Sequence, residues 1–381
     1  MVIELSPKNG RLRSNEELDK VVLSIIDKDE FEEIRTAITA DEFADWYRER
    51  RYTENIKEGK PYFNGPGKIK PADQQSPSKL LQCKRKTIYN QLKAPKESDD
   101  PLGIFWIGQQ LEDELIFPFI EYAAGDYYTT NSIWVDFSVS TDAGEVVIRG
   151  STDPVIVDAD SKPILLTEIK SKESVDHLEK PDEHHLAQAM AYLLGLSEKY
   201  EQDINQAVII YVGKSDLSLK PFFVSLDEEF WEERVLPWIS DVKAYRLEQE
   251  LPPATPENGW ECNYCPYKER CGNGERDFEN IPPGGLLPLF SYPRDSLTDY
   301  LELHTDAKLT PSTAHEFPEL AARFDVANWQ CRGCKSEFKW DRIQGTPSSP
   351  PRCPECELSG NIRILSGPMP VRQMGSDGWP Q

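Results

Sequence analysis

The sequence has no apolar segment that could cross a membrane. Its apolar runs, such as IFPFI and AVIIYV, are far shorter than the roughly 20 residues that a membrane-spanning helix needs. The first residues, MVIELSPKNG, lack the charged segment and apolar core of a secretory signal. We therefore expect a soluble, cytoplasmic protein without a membrane partner. Its 381 residues are enough for one large domain with a small appendage.

Positive charge is scarce, because 43 Lys and Arg residues face 66 Asp and Glu residues and leave a net charge of -23. Such a balance opposes nucleic acid binding, since basic side chains supply most of the non-specific affinity for phosphates. Residues 74–96, however, contain six basic side chains and no acidic one. We predict DNA contacts there by Lys79, Lys84, Arg85 and Lys86. The acidic excess elsewhere is typical of a high-salt cytoplasm, although an ordinary acidic protein would show it too.

Cysteine is also sparse, and all eight residues fall into two metal-ligand sets. The first set joins one distant residue to a C-x2-C-x5-C motif: Cys83, Cys262, Cys265 and Cys271. The second set has the C-x2-C spacing pairs of a zinc ribbon: Cys331, Cys334, Cys353 and Cys356. In a reducing compartment these spacings indicate metal sites rather than disulfides. Four thiolates suit structural zinc in the second set, whereas in the first set either zinc or an iron–sulfur cluster would fit.

The order of the predicted elements indicates an α/β fold with a mixed sheet flanked by helices. Helices are predicted from Ser76, which places Cys83 in a second helical turn, and over 103–122, which carries Gly108 and Glu112. Strands and further helices follow at 132–139, 145–150, 153–158, 162–170, 182–199 (helix), 206–213, 220–226 and 227–249 (helix). The predicted divisions are an N-terminal extension 1–75, a main domain 76–275, a linker with short helices 276–327, a zinc ribbon 328–365 and a polar tail 366–381.

One of three E-x-K triplets, Glu168-Ile169-Lys170, ends an apolar strand. The period of a strand puts Glu168 and Lys170 on one face, and a hairpin would bring Asp153 beside them. Two carboxylates on adjacent strands suit Mg²⁺ or Mn²⁺, and a nearby ammonium can position the attacking water. On the triplet alone, a solvated strand end with an acid–lysine pair remains the simpler interpretation.

The next helix adds Gln188 and Tyr192, which share a face because they are four residues apart. The motifs GSTD, EIK and QAMAY, in this order, resemble the GxxD, ExK and QxxxY motifs of PD-(D/E)xK nucleases of the RecB type. With Cys83 upstream and CNYCPYKERC downstream, the chain resembles their iron–sulfur branch, which includes CRISPR-associated exonucleases and AddB-type nuclease domains. The resemblance covers residues 76–275, and the family does not need the zinc ribbon, which could bind DNA or a protein partner.

The resemblance implies a restriction-endonuclease-like fold and a metal-dependent DNA exonuclease. Its substrate would be single-stranded DNA ends, often cut from the 5′ side, in CRISPR spacer acquisition or recombinational repair, with protein partners from either pathway. A [4Fe-4S] cluster would be held by the first cysteine set. The implied catalytic residues are Asp153, Glu168, Lys170, Gln188 and Tyr192. The implied ligands of Mg²⁺ or Mn²⁺ are Asp153, Glu168 and the carbonyl of Ile169.

One departure concerns the family's Gly-x-x-x-His motif, because Gly108 is followed four residues later by Glu112. Glu112 could replace the histidine as an oxygen ligand, which would favour Mg²⁺ or Mn²⁺ further. Alternatively the site is weak or inactive, and the chain is a nucleic-acid- or partner-binding subunit that keeps the nuclease fold as a scaffold. His184 and His185 are interpreted as helix-surface residues rather than ligands.

Overall fold

A computed structural model describes residue 34 and residues 36–374 and 378–380. Its contacts divide the chain into two compact units, with the boundary between Gly67 and Lys68. In the first unit, helix α1 spans Ala40–Lys57. The hydroxyl of Thr39 accepts a hydrogen bond from the Glu42 N–H and caps α1. A 3-10 turn, Pro61–Asn64, follows.

The second unit contains three sheets. The main sheet has the strand order β2-β5-β6-β7-β8, in which β6 and β7 are parallel and the other neighbours antiparallel. Two smaller sheets have the orders β1-β4-β3 and β10-β9-β11. The strands are β1 Gln74–Gln75, β2 Tyr128–Thr130, β3 Trp134–Val139, β4 Val146–Ser151, β5 Val155–Val157, β6 Pro163–Lys172, β7 Gln206–Gly213, β8 Leu219–Ser225, β9 Trp329–Cys331, β10 Glu337–Phe338 and β11 Leu365–Ser366.

Helices cover both faces of the main sheet. They are α2 Lys84–Gln91, α3 Leu102–Leu111, α4 Phe117–Ala124, α5 Glu183–Tyr200, α6 Glu228–Phe230, α7 Leu236–Glu248, α8 Lys268–Cys271, α9 Arg294–Leu303, α10 Pro311–Glu316, α11 Pro318–Ala321 and α12 Pro354–Leu358. Two π-helical segments, Glu112–Ile116 and Trp231–Val235, join α3 to α4 and α6 to α7. Short 3-10 turns are Pro77–Lys79, Gly259–Tyr264, Trp340–Arg342 and Pro370–Arg372. No helix within these described ranges is long and apolar enough to span a bilayer.

The core lies on the two faces of the main sheet. Met190 and Leu193 of α5 belong to the large cluster on one face, and Ile116 and Ile120 pack with Ile169 on the other. This arrangement follows from the sequence, because a strand whose successive side chains are apolar can bury both faces. The predicted mixed α/β fold is confirmed, as are the predicted strands and the α5 helix.

The helix predicted from Ser76 starts later than the sequence suggests. Residues Pro77–Lys79 form only a 3-10 turn, and Leu81 then adopts a left-handed backbone with φ of 51°. A left-handed residue interrupts a right-handed helix, so α2 begins at Lys84 and Cys83 is its N-cap rather than part of a second turn. Cys83 thus lies on an irregular turn between two short elements.

The C-terminal segment that we expected to be a polar tail packs against other parts of the second unit. The side chain of Gln373 bonds both the N–H and the carbonyl of Leu286. Trp379 is only 7% exposed and belongs to the cluster that contains α5. The predicted linker is packed too, since Leu286 and Leu287 are fully buried. The domain boundaries drawn from the sequence stay a prediction.

Replacing Trp379 by alanine should therefore destabilise the protein by about 3 kcal/mol, because truncation of a buried aromatic leaves a cavity. Val371, which is 42% exposed in the same segment, provides the matched control, and Val371→Ala should change stability by less than about 0.5 kcal/mol. Urea unfolding measures both changes. Equal stabilities of the two variants would contradict a packed C-terminal segment.

Candidate active site

The main sheet has an open edge where β6 extends beyond β5. Strand β5 pairs with β6 only as far as Leu166, whereas β7 pairs with it through Lys172. At this edge the side chain of Asp153 accepts a hydrogen bond that a neighbouring strand would otherwise accept. Its Oδ2 accepts the Ile169 N–H at 2.8 Å. The N–H and C=O of one strand residue point the same way, so the Ile169 carbonyl faces the same edge. Asp153, Glu168 and the Ile169 carbonyl are thus brought together.

Glu168 is the most unusual side chain at this edge, because it is 0% exposed. Its Oε1 forms an ion pair with the Lys170 ammonium, whereas Oε2 has no hydrogen-bond partner among the described residues. Burial, and then the charge of Asp153, raise the pKa of Glu168 to about 8. A buried carboxylate with an unbonded oxygen is costly, so it is expected to bind a further cation or keep a proton.

Lys170 lies among several carboxylates. Burial lowers the pKa of its ammonium, but Glu168, Asp153 and Glu112 outweigh that effect and leave the pKa raised. Lys170 is therefore a permanent positive charge at this edge. It can hold a phosphate oxygen or a water, but it cannot serve as a neutral base near pH 7.

Glu112 approaches the same edge from the face of the sheet opposite to α5. It is the first residue of the π-helical segment between α3 and α4, a distortion common at functional sites. Burial, and then the charges of Asp153 and Asp113, raise its pKa to about 7. Gly108 lies close to the end of β6, because its Cβ position is 3.4 Å from Ser171 Oγ, an ordinary contact distance. Glu112 is near Asp153 and Lys170, although the oxygens of Glu112, Asp153 and Glu168 do not all lie within 4.8 Å of one another.

Gln188 and Tyr192 lie on the other side of this edge, on the buried face of α5. Tyr192 donates its hydroxyl hydrogen to the carbonyl of Ser151 at 2.6 Å. Its side chain is also hydrogen-bonded to that of Gln188. A Cβ at the neighbouring Gly150 would lie 2.8 Å from Pro77 Cδ, so the close approach of Pro77 requires glycine there. The pair of Gln188 and Tyr192 therefore positions the turn that leads to Asp153. Whether it also orients a nucleic acid strand remains a prediction.

A sequence profile decides the family. The profile of the PD-(D/E)XK nuclease superfamily matches residues 71–272, which is 202 of the 381 residues. The chain belongs to the PD-(D/E)XK nuclease superfamily. Membership implies a nuclease-like function, nucleic acid binding and use of a divalent metal.

Solved structures provide only weak likenesses to this nuclease-superfamily chain. The crystal structure of SSO0001 is 17% identical, with a TM-score of 0.38, and the match covers 59% of this chain and 93% of that one. The crystal structure of Scheffersomyces stipitis Rai1 is 16% identical, with a TM-score of 0.18, and the match covers 33% and 34% of the two chains. No curated protein matches the chain. These likenesses carry no argument about function.

The first cysteine set of this nuclease-superfamily chain meets in space. All four residues line one small cavity. The Cys83 N–H donates to Glu261 Oε2 at 2.9 Å, which joins the two ends of the domain. Asn273 Nδ2 lies 3.8 Å from the sulfurs of both Cys262 and Cys271. No three of these sulfurs lie within 4.8 Å of one another.

The second cysteine set is more compact. Its four sulfurs lie within 4.8 Å of one another, and the pairs Cys331–Cys356 and Cys334–Cys353 are each 3.6 Å apart. Tetrahedral zinc with bonds of about 2.3 Å requires sulfurs nearly this close. The four cysteines could therefore form a small zinc ribbon with strands β9, β10 and β11.

The predicted DNA-binding residues differ in their surroundings. Arg85 is 3% exposed, and its guanidinium donates to the carbonyls of Pro252 and Cys271, so the prediction that it contacts DNA does not fit. Lys84 forms an ion pair with Asp241 at 2.6 Å. Burial, and then the positive charges of neighbouring lysines such as Lys86, lower the pKa of Lys79 to about 8. Lys79 and Lys86 remain candidates for phosphate contacts.

The two histidines at the start of α5 are less exposed than the sequence interpretation expected, and that they are not metal ligands stays a prediction. His184 is 9% exposed, and its ring lies 5.8 Å from that of Trp260, while His185 Nδ1 lies 2.8 Å from the Tyr211 hydroxyl. Their ring nitrogens and an Asp182 oxygen lie within 4.8 Å of one another. The signal was present, because His184 and His185 precede Gln188 by four and three residues and so approach the same helix face. Together with Gln188, they form a polar side of α5 that extends toward the N-terminus of the helix.

Without added divalent ions, the protein should lose stability as the pH rises from about 4.5 to 8. The raised pKa values of Glu168, about 8, and Glu112, about 7, mean that the folded protein holds protons that the unfolded chain releases above 4.5. The stabilisation that these bound protons provide is complete below the ordinary pKa of a glutamate. It is lost as the pH rises through the raised pKa values of the folded protein. Glu168→Gln should flatten this profile in urea unfolding and be more stable than wild type at pH 8. A wild-type profile as flat as the variant's would contradict the raised pKa.

Proposed function

We propose that the chain is a metal-dependent DNA exonuclease that acts on single-stranded ends. The observation that carries the proposal is Glu168, a fully buried carboxylate beside Asp153 at an open sheet edge, with Lys170 on one oxygen and no partner on the other. Such a donor set fits Mg²⁺ or Mn²⁺, which prefer carboxylate, carbonyl and water oxygens. Asp153, Glu168 and the Ile169 carbonyl would hold the ion, with Glu112 as a further ligand directly or through water.

The bound ion would polarise the phosphodiester and lower the pKa of a water molecule. Lys170 would hold that water or a phosphate oxygen, since it stays charged. Tyr192 and Gln188 would keep the turn before Asp153 in place through the bond to Ser151. Burial of Glu168 excludes bulk water from one side of the site, which strengthens its interaction with a cation.

Iron and zinc would occupy the two cysteine sets. In the first set, the wide spacing of the sulfurs around a cavity supports a [4Fe-4S] cluster rather than a single zinc ion. Burial raises the pKa of Cys83 and Cys271, and that of Cys265 to about 12, so these thiols need a bound metal to ionise. In the second set, the compact sulfurs support structural zinc, with no open position for a substrate.

The proposed setting is CRISPR spacer acquisition or recombinational repair, as the family resemblance implies, in the cytoplasm that the sequence predicts. A second candidate is a catalytically weak binding subunit, which the presence of Glu112 instead of histidine favours. The intact group of Asp153, Glu168 and Lys170 favours the enzyme.

Digestion of end-labelled strands tests the proposal. Protein purified without oxygen is incubated with Mn²⁺ and single-stranded DNA labelled at the 5′ or the 3′ end, with the duplex and an RNA of the same sequence in parallel, at low and molar salt. We expect shortening of the DNA single strand from its 5′ side, with the duplex and the RNA cut more slowly. No shortening at any salt concentration would favour the binding subunit, and faster cutting of RNA would reject the substrate class.

A further inference from the structure

The helix that leads to Glu112 leaves large apolar side chains uncovered. Helix α3 has no buried residue in the structure, and Phe105 is 62% exposed, Trp106 49% and Leu102 56%. A contiguous exposed apolar surface of this kind often marks a binding site. Its position relative to the candidate active site indicates what binds there.

Phe105 lies on the helix face that approaches the open edge of β6. It precedes Gly108 by three residues and Glu112 by seven, and residues at these spacings share one face of a helix. Gly108 fixes where that face points, because its Cβ position is 3.4 Å from Ser171 Oγ near the end of β6. At 1.5 Å of rise per residue, Phe105 is about 10 Å along the helix from Glu112.

The ring of Phe105 has no aromatic or cationic partner among the residues that the structure describes. Tyr211, by comparison, packs its ring against Phe222 and His185. Phe105 thus presents an unoccupied aromatic face to solvent about 10 Å along the helix from Glu112. That distance corresponds to roughly three nucleotides of a stacked strand at 3.4 Å each.

We propose that Phe105 is a substrate-positioning residue that stacks on an unpaired nucleobase within a few nucleotides of the bond to be cut. The inference rests on the proposed function and deepens it, because bases inside a duplex are already stacked on each other and are not free to cover a side chain. Base–aromatic stacking tolerates any sequence, since every base has a π face. Phe105 would therefore favour single-stranded substrates without selecting a sequence.

Charge explains why stacking would be needed here. Helix α3, with the sequence LGIFWIGQQL, has no charged side chain, and the whole chain has a net charge of -23. Affinity from phosphate contacts falls steeply with salt, whereas stacking does not depend on counterion release. Binding through Phe105 should therefore persist at salt concentrations that weaken the contacts of Lys79 and Lys86.

Binding of a fluorescein-labelled oligo-dT strand and of an abasic strand of equal length, without divalent ions so that nothing is cut, tests the inference. The variants are Phe105→Ala, Phe105→Leu, which keeps an apolar side chain without a ring, and Phe105→Tyr, which keeps the ring. Tyr122→Ala is the matched control, because Tyr122 is an aromatic on α4 that is 84% exposed. Circular dichroism verifies that each variant is folded.

We expect Phe105→Ala and Phe105→Leu to bind oligo-dT roughly tenfold more weakly than wild type, and the abasic strand equally well. Phe105→Tyr and Tyr122→Ala should bind both strands as wild type does. Loss of oligo-dT affinity would support the inference even if no cleavage were found. Unchanged affinity in Phe105→Ala, with cleavage present, would overturn it and leave the nuclease proposal standing, as expected if a protein partner covers α3. Absence of any strand binding by wild type would overturn both.

Discussion

Glu168→Gln should abolish strand cleavage while the protein stays folded. The substitution keeps the size of a fully buried side chain but removes the charge that would hold the metal. Loss of a direct ligand should reduce the rate by more than the roughly 10- to 100-fold that changes outside the ligand shell cost. Asp153→Asn and Lys170→Met should behave alike, because the first removes the neighbouring carboxylate and the second removes the ammonium ion.

Glu337→Gln is the control for this prediction, since Glu337 begins an E-x-K triplet in strand β10 but is exposed. A second comparison separates Glu112 from its exposed neighbour Glu114, which lies in the same π-helical segment. Glu112→Ala should weaken cleavage strongly, Glu112→His should retain it, and Glu114→Ala should have no effect. Single-turnover cleavage measures these rates. If Glu337→Gln were as inactive as Glu168→Gln, the assignment of the triplet would be wrong.

Cys83→Ala should remove iron from the protein and destabilise it severely. Cys83 is 178 residues from Glu261, yet its backbone N–H bonds that side chain beside Cys262. A bound cluster would therefore close a very long loop, and a covalent cross-link over such a loop is worth about 5 kcal/mol. For a protein of 381 residues, that loss would lower the melting temperature by about 6 °C.

The second cysteine set provides a control with the same type of substitution. Cys334→Ala should release zinc and leave iron in place, whereas Cys83→Ala should release iron and leave zinc in place. Metal analysis and visible absorbance distinguish the two cases. Equal iron content in wild type and Cys83→Ala would reject the iron–sulfur assignment, and a protein that contains zinc in both sets would replace it.

The sequence predicted those parts of the fold that depend on local pattern. The alternation around Ile169 and the hairpin before Glu168 predict that Asp153 lies beside Glu168, because strand period and turn residues determine both. The structure adds how this happens. Asp153 bonds the Ile169 N–H at a place where β5 has ended, which depends on the relative lengths of two strands.

Other features depend on tertiary contacts that a single sequence does not specify. The run of basic residues at 84–86 reads as a uniform positive surface, but Arg85 is buried because Pro252 and Cys271, far along the chain, accept its hydrogen bonds. The polar residues after 366 likewise suggested a solvated tail, although Trp379 packs into the core. In each case contacts with residues far along the chain determine burial. Local composition carries no information about those contacts.

Anomalous diffraction from a crystal soaked in Mn²⁺ tests the central claim most directly. We predict a manganese peak between the carboxylates of Asp153 and Glu168 and the carbonyl of Ile169, with metal–oxygen distances of about 2.1 Å. The same crystals of Glu168→Gln should show no peak there. A peak only at Asp182, His184 and His185, or no peak in the second unit at all, would contradict the proposed metal site and with it the proposed nuclease.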